Sequence, residues 1–306
     1  MSLTLSTIIC TKDRSEDLKQ CITSILKGKR VPDEIVIIDD GNLDPQLIQS
    51  MLKETDIRIE YRKKSPPNIN ASRNLATSIA TGDILSFLDD DVILDQGYYL
   101  AVMNAFEKDY AQKIAGITGA LIIDTHPVKR VFLKFFGLES NQPGKVHPSG
   151  AVTLVRAGEI VQPIKVDWLS GCNMNFRRWI FQEYRFSEQD SGYIWGDDRD
   201  FTFPIGQKYL LIALPDAMLI HKKSPVSRSS AFDLGRMEIF HLGRFFATYS
   251  SQNLMSWFAL YWAFIGIMIK NILSTFHPNK RLKGFKQALG NLKGLIQFFE
   301  YLKIRK

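Results

Sequence analysis

The run Ile84-Leu85-Ser86-Phe87-Leu88-Asp89-Asp90-Asp91-Val92 sets three consecutive carboxylates at the end of an apolar, strand-like segment. Carboxylates that close repel one another. A hard divalent cation with phosphate ligands relieves the repulsion, because such cations favour oxygen donors and bridge carboxylate to phosphate. A solvated acidic turn is the competing reading. A second acidic pair lies in Gly196-Asp197-Asp198-Arg199-Asp200-Phe201. Adjacent carboxylates raise one another's pKa, which suits a general base working near neutral pH. An acidic helix start, favoured by the macrodipole, explains the same residues without chemistry. His221 follows an apolar run and precedes Lys222-Lys223, and a neutral imidazole joins oxygen ligands readily around Mn²⁺. His126, His147 and His241 stand in no such cluster.

Positioning these groups requires elements that end near one another. Leu5 to Cys10, Glu34 to Ile38, Ile57 to Tyr61 and Ile84 to Leu88 are short apolar or β-rich runs. Between them, residues 17–26, 45–54 and 70–80 read as helices, the first with Leu18, Cys21, Ile22 and Ile25 on one face. A β-α-β-α-β-α-β alternation argues for a mostly parallel sheet with helices on its faces, and ligands of such sheets sit beyond the carboxyl ends of the strands. Thr11, Asp39, Asp40, Asp89 and Asp91 all fall at such ends. Further strands are expected at 114–123 and 209–214, with short β-like pieces between residues 126 and 165.

The 306 residues suffice for one large α/β domain with an appendage. Cys10, Cys21 and Cys172 are too few and too widely spaced for a disulfide framework or zinc site, and read as core residues in a reducing compartment. No basic stretch precedes the first strand, so no secretory leader is expected. The net charge of +7 is unevenly placed: residues 270–306 hold nine Lys/Arg against Glu300 alone, or +8, which leaves −1 for residues 1–269. The basicity belongs to the tail, and no nucleic-acid-binding core is implied.

Taken together, these motifs resemble those of a family 2 glycosyltransferase. Ser6-Thr7-Ile8-Ile9-Cys10-Thr11-Lys12-Asp13-Arg14 is similar to that family's first strand and nucleotide loop, and Ile35 to Gly41 to its second strand with paired aspartates. Asn70-Ala71-Ser72-Arg73-Asn74 resembles its Ala-Arg-Asn helix start, and Phe87 to Val92 its Asp-x-Asp metal site. Ser170 to Arg178 resembles its acceptor-side segment, and Gly196 to Phe201 its catalytic segment, although Asp197 replaces the more usual Glu and Asp90 makes the Asp-x-Asp pair a triplet.

The resemblance covers about residues 5–225 and implies a GT-A (Rossmann-like) α/β domain over 1–224, with a helical, basic, membrane-associating region over 225–306. It implies an inverting transfer with Asp198 as base and Asp197 in support. Donor contacts would come from Thr11, Asp13, Asp40, Arg73 and Asp89, with Asp39 a structural turn residue. Mn²⁺ or Mg²⁺ would be held by Asp91, Asp89 and His221. Trp168, Gly171 and Asn173 would face the acceptor, a glycan or lipid-linked glycan of surface polysaccharide synthesis, with a UDP-sugar as first choice of donor. Two other classes fit less well: a nucleotidyltransferase, which would want a Gly-rich phosphate loop that residues 9–16 lack, and a non-catalytic carbohydrate-binding or scaffold relative, which need not keep Asp91 and Asp198.

The tail adds a location. No residue from Phe245 to Ile269 is charged, and Leu254 to Ile269 carries Trp257, Tyr261 and Trp262. A single span would separate a cytosolic domain from a tail of +8, against the positive-inside rule, so an interfacial or re-entrant helix is expected. Leu282, Phe285, Leu289, Leu292, Ile296 and Phe299 then form one apolar helical stripe with Lys283, Lys286 and Lys293 beside it. That pattern reads as peripheral attachment to the cytoplasmic face of a membrane. Packing of the stripe on the catalytic domain or a second subunit is the alternative.

Overall fold

The structure is a computed structural model that describes residues 2–44, 46, 48, 55–124, 126–189, 194–227 and 229–305. Residues group into two compact units, one of 1–123, 154–193 and 197–227, the other of 124–153, 194–196 and 228–306.

Unit 1 is an α/β layer. Its strands are β1 (Leu5–Thr11), β2 (Glu34–Asp39), β3 (Arg58–Lys63), β4 (Ile84–Asp89), β5 (Val92–Leu94), β6 (Ile114–Leu121), β7 (Ile164–Val166), β8 (Asn173–Arg177) and β9 (Leu210–His221). Among the described residues they make one sheet in the order β3-β2-β1-β4-β8-β6-β9-β5, with β7 on β9. β3, β2, β1, β4, β6 and β9 run one way, while β5, β7 and β8 run against them. β2 is buried along its whole length and β1 along nearly all of it, as parallel strands covered on both faces must be. The helices are α1 (Ser15–Leu26), α2 (Ile69–Ile79), α3 (Tyr98–Lys108), α5 (Ile180–Glu183) and α6 (Asp197–Lys208), with α4 belonging to unit 2. The expected face of α1, Leu18, Cys21, Ile22 and Ile25, is the buried one. Asn68 caps α2 by accepting from the N–H groups of Asn70 and Ala71. The helix expected over 45–54 lies largely outside the described residues.

β9 runs past the expected end at 214 because it is interrupted, not terminated. Gly119 of β6 pairs with Leu214, but the next residue, Ala120, pairs with Met218, so residues 215–217 bulge out of the ladder. A Cβ on Gly119 would stand 2.2 Å from the carbonyl oxygen of Ala217, so only glycine lets the bulge come this close. Beyond the bulge β9 pairs with β5, setting His221 opposite Val92.

Unit 2 is helical: α4 (Pro127–Phe135), α7 (Ala231–Tyr249), α8 (Leu254–Ser274) and α9 (Arg281–Arg305). α4 was read from sequence as irregular chain; Pro127 starts it at the first helical position, where a missing N–H costs nothing. Ala151, Ile239, Leu242, Phe246, Leu260 and Phe264 belong to its core.

Candidate active site

The three aspartates of the triplet do not act alike. Asp90 turns inward, 2 % exposed, and accepts from Thr11 Oγ1 at 2.7 Å and from Arg14 Nη1 at 2.9 Å. Burial pushes its carboxyl up to about 6, against the opposing pull of Arg14 and Thr11. Asp89 and Asp91 turn instead toward His221. Thr11 is buried and its hydroxyl donates to Asp90, so it anchors the loop after β1.

The β5–β9 register brings His221 Nε2 to 3.1 Å from Asp91 Oδ1 and 3.6 Å from Asp89 Oδ2. One ligand atom from each of Asp89, Asp91 and His221 lies within 4.8 Å of the others. Asp91 is fixed from behind: its Oδ2 accepts the Ser224 N–H at 2.7 Å and its carbonyl accepts the Lys222 N–H at 3.0 Å. Burial would lower the imidazole's pKa, but hydrogen bonds to Asp91 and Cys172 overcome it and lift His221 to about 11. Burial would likewise raise Asp91, yet His221 and the Ser224 N–H hold it down to about 2. Two carboxylates and one imidazole within reach of one another suit a hard divalent cation such as Mn²⁺ or Mg²⁺. Lys222 does not face this corner, since its ammonium pairs with Asp17 and reaches Gln20 of α1.

Arg73, on α2 and 6 % exposed, links that corner to the second acidic pair. Its guanidinium contacts Asp197, approaches Asp89 to 4.0 Å and lies over the Phe186 ring at 5.3 Å. Asp197 and Asp198 open α6, where the helix N-terminus favours negative charge. Asp198 Oδ2 accepts the Gly171 N–H at 2.8 Å, and its Oδ1 accepts the Arg199 N–H at 2.8 Å. Gly171 is therefore a holder of Asp198, and a Cβ there would press on Asp198 Cβ at 3.0 Å. Burial raises the pKa of Asp197, Arg73 opposes the rise and Asp198 reinforces it. Burial raises Asp198 as well, against the Gly171 and Arg199 N–H groups.

The remaining expected residues divide. Asp40 accepts from Ser72 Oγ at 2.8 Å, the Asn68 N–H at 3.0 Å and Lys64 Nζ at 3.2 Å, which ties the end of β2 to the start of α2. Asp39 accepts from the Gly41 and Leu43 N–H groups and from Tyr61, the structural turn expected of it. Asp13, at φ 54°, receives the Asn42 N–H at 3.0 Å and so joins the loops after β1 and β2.

Trp168 is 4 % exposed, and its indole N–H has no acceptor among the described residues. For Asn173, the acceptor side and the core are both open readings of the sequence, and the structure places it in the core. It is fully buried, and its Oδ1 accepts from Thr118 Oγ1 at 2.8 Å and from the Gly119 N–H. The cause is the antiparallel β8, whose alternation turns Asn173 and Asn175 into the interior beside Tyr98. Asp90 and Gly171, each holding one side of the site, are the roles that sequence reasoning missed. Nothing in their spacing separates holder from participant.

The sheet with its inserted antiparallel strand, the carboxylate–histidine corner and the acidic pair at a helix start define a GT-A fold. Residues 6–152 match the model of the family described as Glycosyl transferase family 2, and the resemblance read from the motifs holds over that segment.

A Bacillus subtilis protein named uncharacterized glycosyltransferase YwdF is 23% identical over 243 residues, 78% of this chain and 82% of that protein. The glucosyl-dolichyl phosphate glucuronosyltransferase of Haloferax volcanii is 24% identical over 108 residues, and the match spans only 34% of each chain. The structure of the mannosyltransferase PcManGT from Pyrobaculum calidifontis in complex with GDP-Man and Mn²⁺ is similar with a TM-score of 0.59 and 14% identity, over 96% of this chain and 88% of that one.

Proposed function

We propose that the chain is an inverting, divalent-cation-dependent glycosyltransferase that moves a sugar from a nucleoside-diphosphate donor to a hydroxyl of a glycan or lipid-linked glycan. The observation that carries this reading is the reach of Arg73, which brings the Asp89–Asp91–His221 corner and the Asp197–Asp198 pair to a single guanidinium. Asp89, Asp91 and His221 would hold the cation, which supplies Lewis-acid stabilisation of the charge on the leaving diphosphate. Asp198 takes the acceptor hydroxyl's proton as that oxygen attacks the anomeric carbon. The bond to the diphosphate oxygen breaks on the opposite face, so configuration inverts without a covalent intermediate. Gly171 and the start of α6 aim Asp198 through two backbone N–H groups, leaving each oxygen a lone pair. Arg73 keeps Asp197 ionised and in place. Asp13 and Asp40 hold the loops that would receive the nucleoside, and Trp168, whose indole N–H is buried without an acceptor among the described residues, would border the acceptor side.

A UDP-sugar is the first donor to test, and the GDP-Man of the Pyrobaculum neighbour places GDP-sugars in the same panel. The acceptor proposed is of the lipid-phosphate-linked kind named for the Haloferax relative, used in surface polysaccharide synthesis at the cytoplasmic face of the membrane. Purified protein is to be assayed for Mn²⁺-dependent nucleotide release across UDP-, dTDP- and GDP-sugars, with Asp91→Ala and Asp198→Ala beside it. Release from one donor that Asp91→Ala abolishes supports the transferase and names the donor. Absence of binding and turnover with every donor, membrane extract included as acceptor source, favours the non-catalytic alternative.

A further inference from the structure

The amphipathic pattern of α9 is inverted with respect to its packing. Its buried residues are Gly284, Gly290, Asn291, Gly294 and Phe298, so small side chains dominate the inward face. A Cβ on Gly290 would stand 2.0 Å from the Phe232 carbonyl oxygen, and one on Gly294 2.3 Å from that of Arg236, so α9 and α7 touch backbone to backbone. Close approach through small residues is how helices associate when apolar surface does not have to be hidden from water. The large apolar residues point outward instead: Leu282 is 67 % exposed, Phe285 55 % and Ile296 53 %. α8 does the same, with Leu254, Met255 and Phe258 exposed by 63 % or more and Phe276 exposed just past its end, and α4 adds Val128, Val131 and Phe135. An apolar surface contributed by three helices is far more than scattered single residues.

We propose that unit 2 is an interfacial lipid-binding module whose occupant is the surface of an anionic bilayer, with α8 lying in that surface and not crossing it. Charge selects the occupant. Lys280, Arg281, Lys283 and Lys286 line a cleft of about 1030 Å³ together with Ser230 and Thr275, a receptacle for lipid phosphate groups beside the apolar stripe. A second copy docking through the same face would set two such cationic rims against each other. A spanning α8 is disfavoured by its own packing, although it is long and apolar enough to cross a bilayer. Lys270 pairs with Glu238 at 2.8 Å, and Asn271 reaches Glu238 at 2.9 Å and Asn291 at 2.8 Å. Those bonds tie α8 to α7 and α9, and moving the helix into hydrocarbon would break them or carry them along.

The test is vesicle flotation of the full chain, with neutral phosphatidylcholine vesicles against vesicles containing one-third phosphatidylglycerol, at low and high salt. Co-flotation with the anionic vesicles, weakened at least tenfold by neutral lipid, is expected. Lys283→Glu/Lys286→Glu should abolish the preference for anionic lipid, and Phe258→Glu/Phe285→Glu should abolish flotation, each with an unchanged circular dichroism spectrum. No flotation with either lipid overturns the proposal. So does a concentration-dependent dimer in lipid-free buffer that the Phe→Glu pair dissolves, which would make a second copy the occupant. Protease cleavage of the tail from inside sealed vesicles would show a span and overturn it too. Flotation is read without donor or acceptor, so its failure leaves the transferase reading standing.

Discussion

At the scale of single residues, function here is divided between side chains that meet ligand and side chains that hold them. Asp198→Asn keeps an acceptor for the Gly171 N–H but removes the proposed base, so kcat should fall by about 10²–10⁴, with donor binding by calorimetry unchanged. Gly171→Ala presses a methyl on Asp198 at 3.0 Å and should lower kcat with little change in donor KM; steady-state kinetics separates the two. The raised pKa of Asp198 fixes a pH dependence. The base works ionised, so activity should fail as pH drops through a midpoint above the ordinary aspartate value of about 3.9. The stability effect has the opposite sense: a carboxyl raised by folding binds its proton better in the native state, so its ionisation costs stability as pH rises past the unfolded value. Asp198→Asn should therefore raise the melting temperature at pH 7.5 and lose that advantage near pH 4, as thermal unfolding at the two pH values would show. The triplet shows the limit of sequence at this scale. Asp89, Asp90 and Asp91 are alike in type, and only the partners, Thr11 and Arg14 on one side and His221 on the other, tell which one turns away from the corner.

At the scale of elements, the parallel half of the sheet was legible because each strand ends in a polar turn and each helix shows its apolar face. The other half was not. β8 runs antiparallel between β4 and β6, a pairing that no local pattern encodes, and it turns Asn173 inward, where the motif alone leaves acceptor side and core open. His221 was legible as a candidate by its place after a strand. What delivers it, the bulge at 215–217 and the β5–β9 register, depends on tertiary pairing. Gly119→Val should test that device. Its side chain collides with the Ala217 carbonyl at 2.2 Å, and overpacking of this kind costs about 1–3 kcal/mol, readable as a lower urea midpoint. Because the strand beyond the bulge carries His221, Mn²⁺ affinity by calorimetry should fall along with stability, whereas a surface change such as Lys165→Gln should alter neither.

At the scale of the whole molecule, the charge imbalance of the tail was plain in the sequence, whereas the side of α9 that packs was not. The stripe of Leu, Phe and Ile reads from sequence as an attaching side with packing as the alternative, and the glycines opposite it mark the packed side only once α7 is known to lie against them. Removal of residues 228–306 should give a chain that aggregates, because Phe136 and Ala151 lose the core they share with α7 and α8. Size-exclusion chromatography of that fragment against the full chain would show it. The same division has a consequence for how the protein is made. Residues 124–153 leave the ribosome before 154–227, which belong to the other unit, and their own partners begin only at residue 228. At about 5–20 residues per second, α4 and its flanks wait several seconds, with Phe136 and Ala151 still without the partners that bury them. The unit that carries the acidic pair can close first, and the helical unit is completed only once residues 228–306 have followed.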